Sequence, residues 1–176
     1  DGRTIYGRAV PYGIVSEVAD RPGGPVYREA FEFGAFRRAV RAPFRVELRY
    51  EHGGGLLDVV GPGQTLEERD DGLWGTWRAM ETPVGDQALA MISNEILRGL
   101  SVSFRPLGPG RREADGTMVR TSCHLNEVSL TRTPAYTGAE VVAVRHAILA
   151  EEFDRPSRDP ELDERLELLR GRGFLA

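Results

Sequence analysis

Several short stretches of this chain alternate apolar and polar residues with a period of two, and glycine or proline cuts each of them off within a few residues. In residues 45–50, Val46, Leu48 and Tyr50 alternate with Arg45, Glu47 and Arg49. A strand turns successive side chains to opposite faces, so this spacing marks a strand buried on one side. Residues 73–79 repeat it, with Leu73, Gly75, Trp77 and Ala79 set against Trp74, Thr76 and Arg78. Residues 125–130 do so again, with Leu125, Glu127 and Ser129 against Asn126, Val128 and Leu130. The chain spreads 21 glycines and 11 prolines over 176 residues, so its elements are short and its turns many. That favours a β-rich α+β architecture over a helix bundle.

Further strands are predicted at residues 4–12, 56–60, 64–69, 100–104 and 117–122, with a strand or helix start at 140–144. Gly7 inside the first of these marks a bulge or a close backbone approach. Asp70-Asp71-Gly72 and Asp115-Gly116 read as hairpin turns. Residues 16–25 and 105–115 read as loops. One longer helix is predicted over residues 84–98, where Ala88, Met91, Ile92, Ile96 and Leu97 fall at helical spacing and Gly99 supplies a stop. A short helix begins near Gly34. From Ala147 the composition changes: two helical segments, 149–153 and 162–169, flank Arg155-Pro156-Ser157-Arg158-Asp159-Pro160. Residues 1–148 are therefore expected to form one domain and residues 149–176 a C-terminal helical tail.

The formal net charge is −4 and the arginines are spread among acids, so no basic block argues for nucleic acid. No apolar run approaches the roughly 18 residues that span a bilayer. No signal-peptide pattern is expected. The single cysteine, Cys123, flanks a strand-like run and reads as a small core residue, in keeping with a reducing compartment such as a cytoplasm. There is no CxxC, HExxH or Asp-rich loop, and neither Gly53-Gly54-Gly55 nor Gly61-x-Gly63 precedes a helix at dinucleotide-binding spacing. Neither a metal nor a cofactor is expected. The acidic run Glu67, Glu68, Asp70 and Asp71 reads as a solvated hairpin rather than a calcium site.

A serine hydroxyl is a poor nucleophile until a neighbouring base takes its proton. In Leu100-Ser101-Val102-Ser103-Phe104 two serines share one face of an extended segment; the plain alternative is two hydroxyls on the solvent side of an edge strand. The chain has three histidines. His52 ends an amphipathic strand in Tyr50-Glu51-His52-Gly53 and precedes glycines that let a substrate approach, although a surface loop residue would look the same. His124 adjoins Cys123, but neighbours in a strand point to opposite faces, which argues against a Cys–His pair. His146 reads as exposed.

In chain order, Ile5-Tyr6-Gly7-Arg8-Ala9-Val10, Glu29 with Gly34-Ala35-Phe36, Glu51-His52, Asp71-Gly72-Leu73, Gly99-Leu100-Ser101-Val102-Ser103-Phe104, and Asn126-Glu127-Val128-Ser129-Leu130 with Pro134-Ala135 resemble the prohead (capsid maturation) protease family of tailed bacteriophages. That family is distantly similar to herpesvirus assemblin, and the resemblance spans residues 3–145. It implies a small, partly open antiparallel β-barrel flanked by helices. It implies Ser101 as nucleophile and His52 as general base. The third member, a histidine in assemblin-like enzymes, falls on Glu127, with Glu29 and Asp58 as alternatives. A carboxylate there is chemically sensible, since it can accept the Nδ1–H of His52 and stabilise the imidazolium. Arg132, in the loop after that strand, falls where the oxyanion donor is expected. Ser103 departs from the glycine the family commonly carries two residues after the nucleophile.

The activity implied is that of a serine endopeptidase acting inside the assembling prohead, in the host cytoplasm. Its substrates would be a scaffold protein or the scaffolding segment of the major capsid protein, and the protease itself, with a homodimer as the expected state. The tail would anchor the enzyme to scaffold or occlude the site, or be a plain terminal helix. Two other readings stay open at this stage: a catalytically inactive assembly or scaffold protein on the same fold, and a small β-barrel binding module unrelated to viruses.

Overall fold

A computed structural model describes residues 2–19 and 23–145. His146 and the expected tail at 149–176 lie outside the described residues.

The elements in chain order are β1 (Thr4–Pro11), β2 (Ser16–Val18), β3 (Tyr27–Phe31), α1 (Arg37–Val40), β4 (Leu48–Tyr50), β5 (Val59–Gly61), β6 (Gly63–Arg69), β7 (Gly72–Arg78), α2 (Pro83–Ser93), β8 (Gly99–Pro106), β9 (Arg111–Arg112), β10 (Met118–Arg120), β11 (Cys123–Thr131) and β12 (Glu140–Arg145). This is a β-rich α+β fold. One sheet has eight strands in the order β5-β4-β11-β8-β12-β1-β7-β6, and a second has four, β2-β3-β10-β9. Most neighbours are antiparallel, but β11 pairs with β4 and β10 with β3 in parallel, so both sheets are mixed. Parallel partners need a crossover rather than a hairpin, and the chain reaches β4 and β10 through intervening elements.

β5 and β6 lie at opposite edges of the larger sheet, yet only Pro62 separates them along the chain. The sheet therefore curls until its edges meet at that corner. Backbone bonds fix the corner, from Arg78 N–H to Pro62 C=O (3.1 Å) and from Met80 N–H to Val60 C=O (2.8 Å). A Cβ at Gly61 would lie 1.8 Å from the Arg78 carbonyl oxygen, so only glycine fits there. No ladder joins β5 to β6 among the described residues.

The core comprises Ile5, Phe31, Phe36, Leu48, Leu73, Trp77, Leu100, Val128 and Leu130, with Ala88 and Leu89 added by α2. Burying each large apolar side chain contributes about 1.5–3 kcal/mol. The alternation in β7 does not leave a wet face. Trp74, on the face opposite Trp77, stacks on Tyr6 with 5.2 Å between ring centroids and is covered by the Arg69 guanidinium at 5.1 Å.

Several local expectations are corrected. α2 stops at Ser93 rather than 98. Glu95 adopts φ 58°, its N–H bonds Ile92 C=O, and Ile96 N–H bonds Met91 C=O, both at 2.8 Å. This is a Schellman ending with glutamate where glycine is usual, which is why Gly99 misled as the stop. Residues 56–58 form a 3-10 turn rather than the start of a strand. The segments expected as loops contain the short strands β2 and β9. Gly7 behaves as expected: the β1–β12 register shifts there, and a Cβ would meet Glu140 O at 2.4 Å.

Candidate active site

β11 carries the chemistry because its register slips once. The β8–β11 ladder shifts between Leu125 and Glu127, leaving Asn126 as the extra residue of a bulge. Cys123 and Leu125 face the core before the bulge, and Val128 and Leu130 face it afterwards. Leu125 thus does not share a face with Glu127 and Ser129, as uninterrupted alternation would require. Those two side chains turn instead toward the opposite side. Across the ladder, Ser103 pairs with Glu127 and Ser101 with Ser129, so both serines of β8 share that side.

His52 reaches the same place from β4. The chain leaves Tyr50 in a tight turn closed by Gly53 N–H donating to Tyr50 C=O at 2.9 Å. Both central residues are left-handed, Glu51 at φ 46° and His52 at φ 57°. Residues with side chains pay for that conformation unless their surroundings hold them there. Here Glu51 N–H donates to Leu130 C=O (2.9 Å), and its carboxylate accepts from Thr131 Oγ1 (2.9 Å) and Arg132 N–H (3.3 Å). His52 N–H donates to Ser129 Oγ at 3.0 Å. The following glycines are tied down too. Arg49 Nη1 donates to the carbonyls of Gly53 (2.7 Å) and Gly55 (3.2 Å), and Asp58 Oδ2 accepts from Gly55 N–H (2.8 Å).

The result is a contact between residues 75 apart in sequence: His52 Nδ1 lies 2.6 Å from Glu127 Oε1. Ser129 Oγ donates to the other carboxylate oxygen, Oε2, at 2.7 Å. The hydrogen bond that His52 donates to Glu127 raises the His52 pKa above its ordinary 6.5; partial burial works against this, and the charges of Glu127 and Glu51 add to it. With Nδ1–H on the carboxylate, Nε2 is left with a lone pair, the state a general base needs.

Ser101, Ser103, His52, Gly53, Gly54 and Glu127 all line one cavity of about 870 Å³. Phe104 and Tyr136 add aromatic wall, and each packs edge-on against Phe31 at 5.1 Å. Ser101 is 4% exposed. Among the described residues no hydrogen bond joins Ser101 to His52; catalytic hydrogen bonds often tighten only when substrate is bound. Ser103 Oγ lies 3.1 Å from Asn126 Nδ2, which donates to it.

The other sequence-selected residues lie elsewhere. Glu29 is fully buried, where it pairs with the Arg120 guanidinium and accepts from Tyr136 Oη at 2.6 Å, not from His52. Asp58 caps the glycine loop. Arg132 projects to solvent with its Nε 3.5 Å from Glu51 Oε1, and it is not among the residues lining the cavity. Cys123 is buried, its thiol pushed up to about 12 chiefly by that burial, and His124 faces outward. No group of three or more His, Cys, Asp or Glu side chains among the described residues could hold a metal ion.

Sequence alone singles out neither Ser129 nor Arg49. The available signal for Ser129 was its place two residues after Glu127 on one strand, which puts both side chains on one face.

The comparison with curated proteins found no match. A family model, described as Caudovirus prohead serine protease, matches residues 1–153 and so takes in β4, β8 and β11 together. The chain belongs to the caudovirus prohead serine proteases and is a serine peptidase.

Proposed function

We propose that this chain is a procapsid maturation endopeptidase in which Ser101 is the nucleophile, His52 the general base and Glu127 the carboxylate that orients it. The observation that carries the reading is the 2.6 Å contact from His52 Nδ1 to Glu127 on the wall of the cavity that Ser101 also lines.

The chemistry follows from those positions. Ser101 Oγ attacks the scissile carbonyl carbon while its proton passes to His52 Nε2. An imidazolium forms, and Glu127 stabilises it through Nδ1–H. The tetrahedral intermediate collapses by breaking the C–N bond, and His52 Nε2–H protonates the departing amine. Water, deprotonated by the same imidazole, then attacks the acyl-enzyme carbonyl; the C–Oγ bond breaks and His52 Nε2–H returns a proton to Ser101 Oγ. Arg132 is the candidate oxyanion residue by its place after β11. Its amide and guanidinium are both engaged by Glu51, so using either one requires that pairing to open.

The substrates would be a scaffold protein or the scaffolding segment of the major capsid protein, together with the protease itself, cut inside the assembling prohead in the host cytoplasm by a homodimer. The curled larger sheet would be the partly open, assemblin-like barrel. Family membership and the corner at Pro62 support these two inferences respectively.

A fluorophosphonate probe tests the assignment. Ser101→Ala should abolish labelling and Ser103→Ala should keep it. Labelling that survives Ser101→Ala would remove the nucleophile. A folded chain that neither labels nor cleaves supplied capsid protein would favour an inactive assembly protein.

A further inference from the structure

We propose that Ser129 is a positioning residue for hydrolysis, its one hydroxyl fixing both the carboxylate that orients the base and the backbone that carries the base. This deepens the assignment of Ser101, His52 and Glu127 above and rests on it.

A hydroxyl has one proton to give and two lone pairs to receive with. Ser129 Oγ gives its proton to Glu127 Oε2 at 2.7 Å and receives the N–H of His52 at 3.0 Å. The residue is wholly buried, so water does not replace either partner. Glu127 can rotate about its terminal bond, and a carboxylate held only at Oε1 would be free to swing off the imidazole. The second contact, at Oε2, sets its plane. His52 sits at φ 57°, a conformation that side-chain-bearing residues rarely hold unaided. The Ser129 bond to its N–H and the Glu51 carboxylate contacts on the other side grip that turn. Ring and backbone of the base are thus referred to a single atom on β11. That atom is on the residue directly paired with Ser101 in the ladder. Nucleophile, base and orienting acid are registered to one strand pair, whereas the Glu51 contacts, to Leu130, Thr131 and Arg132, tie down only the turn.

The test uses the whole chain. Ser129→Ala should slow fluorophosphonate labelling about 10-fold to 100-fold, as loss of a hydrogen bond to a charged group implies. It should also shift the acid limb of the labelling rate to lower pH, because a looser carboxylate raises the imidazole pKa less. Ser103→Ala, on the same face but outside this contact, should leave that limb in place. A merely structural serine would lower the melting temperature without moving the pH limb. A folded Ser129→Ala chain with a wild-type rate and an unshifted limb would overturn the proposal. If the alanine variant does not fold, Ser129→Cys, of similar size but a weaker donor, carries the same test: slowing with a shifted limb supports it, and wild-type behaviour refutes it. Label retained by Ser101→Ala would instead bring down the assignment on which the proposal rests, so the two failures are distinct.

Discussion

Replacing Glu127 with glutamine changes one oxygen to a nitrogen and leaves the volume of the side chain as it was. Which end of the new amide meets His52 is decided by Ser129. The Ser129 hydroxyl already accepts from His52 N–H and gives its proton to Oε2. To keep that proton paired in a fully buried position, the glutamine must present its oxygen to Ser129. Leaving such a group unpaired costs about 1–3 kcal/mol. The amide nitrogen then faces His52 Nδ1, which must become an acceptor. The ring proton moves to Nε2, and the base is lost without any change of shape. In serine–histidine–aspartate enzymes the equivalent change lowers kcat by about 10⁴. Here the His52 side chain is 41% exposed, so water can compete for Nδ1. We expect a loss nearer 10²-fold to 10³-fold, with KM little altered. The assay is cleavage of a peptide substrate, or the rate of fluorophosphonate labelling, measured in a double-mutant cycle with Ser129→Ala. Without the Ser129 hydroxyl the amide is free to turn its oxygen toward Nδ1–H. Glutamine should therefore cost less in that background, with a coupling of about 1–2 kcal/mol. A glutamine variant within tenfold of wild type, or an identical penalty in both backgrounds, would refute the reasoning.

Because Glu127 raises the His52 pKa, and the base works only when neutral, the acid limb of kcat/KM should lie above the ordinary 6.5, and Glu127→Gln should move it down. The same raised value means the pair's contribution to stability is fully present below about pH 6.5 and fades as pH rises through the folded-state pKa, so denaturant melts of wild type and Glu127→Gln should converge at alkaline pH; exposure of His52 keeps the effect small. Gly53→Ala should impair both stability and activity, since its Cβ would lie 2.3 Å from Asp58 Cγ, whereas Gly54→Ala, with open space around it, should melt within about 0.5 kcal/mol of wild type. Glu29→Ala strips a buried carboxylate from Arg120 and Tyr136 and should cost about 3–5 kcal/mol in a denaturant titration, because it leaves the guanidinium uncompensated.

Period-two alternation was enough to find most of the strands that build the site, because alternation is what a half-buried strand imposes on sequence. It was enough for the Asp70-Asp71 hairpin between β6 and β7, where Arg69 pairs with Gly72, and for Cys123 as a core residue. It failed wherever non-local bonds override local preference. Glu95 takes a glycine's role because the Ile92 carbonyl receives its N–H and the Met91 carbonyl receives that of Ile96. Residues 56–58 curl because Asp58 reaches back to Gly55. β2 and β9 are strands only because β3 and β10 pair with them. The proximity of His52 and Glu127 was legible through family resemblance and not through spacing, since neither residue's surroundings in sequence point to the other. Ser129 stayed hidden because a serine on a strand has an ordinary explanation until its two partners are known.

The bulge at Asn126 makes the last point testable. Strict alternation from Leu125 would carry Glu127 and Ser129 into the core and push Val128 and Leu130 out. One extra residue reverses this: Cys123, Leu125, Val128 and Leu130 are all buried in one cluster, while Glu127 lines the cavity and the buried Ser129 bonds it from the same strand. Deleting Asn126 would leave Leu125 next to Glu127, so that Cys123, Leu125, Val128 and Leu130 alternate onto one face and Glu127 and Ser129 onto the other, as they already do across the bulge. The ladder would then run unbroken, because Phe104 and Ser103, the partners of Leu125 and Glu127, are themselves consecutive in β8. Continuing the alternation through Asn126 would instead expose Val128 and Leu130 at about 3–6 kcal/mol, a large share of the roughly 5–15 kcal/mol that holds a domain together, which is why the extra residue is taken up as a bulge. The deletion is therefore expected to fold and still label at Ser101, and Asn126→Ala, which keeps the residue count and removes only the bond to Ser103, should likewise melt near wild type and keep its activity. A deletion variant that unfolds, or that folds and no longer labels at Ser101, would show that parity along β11 is not enough to aim Glu127 at the base.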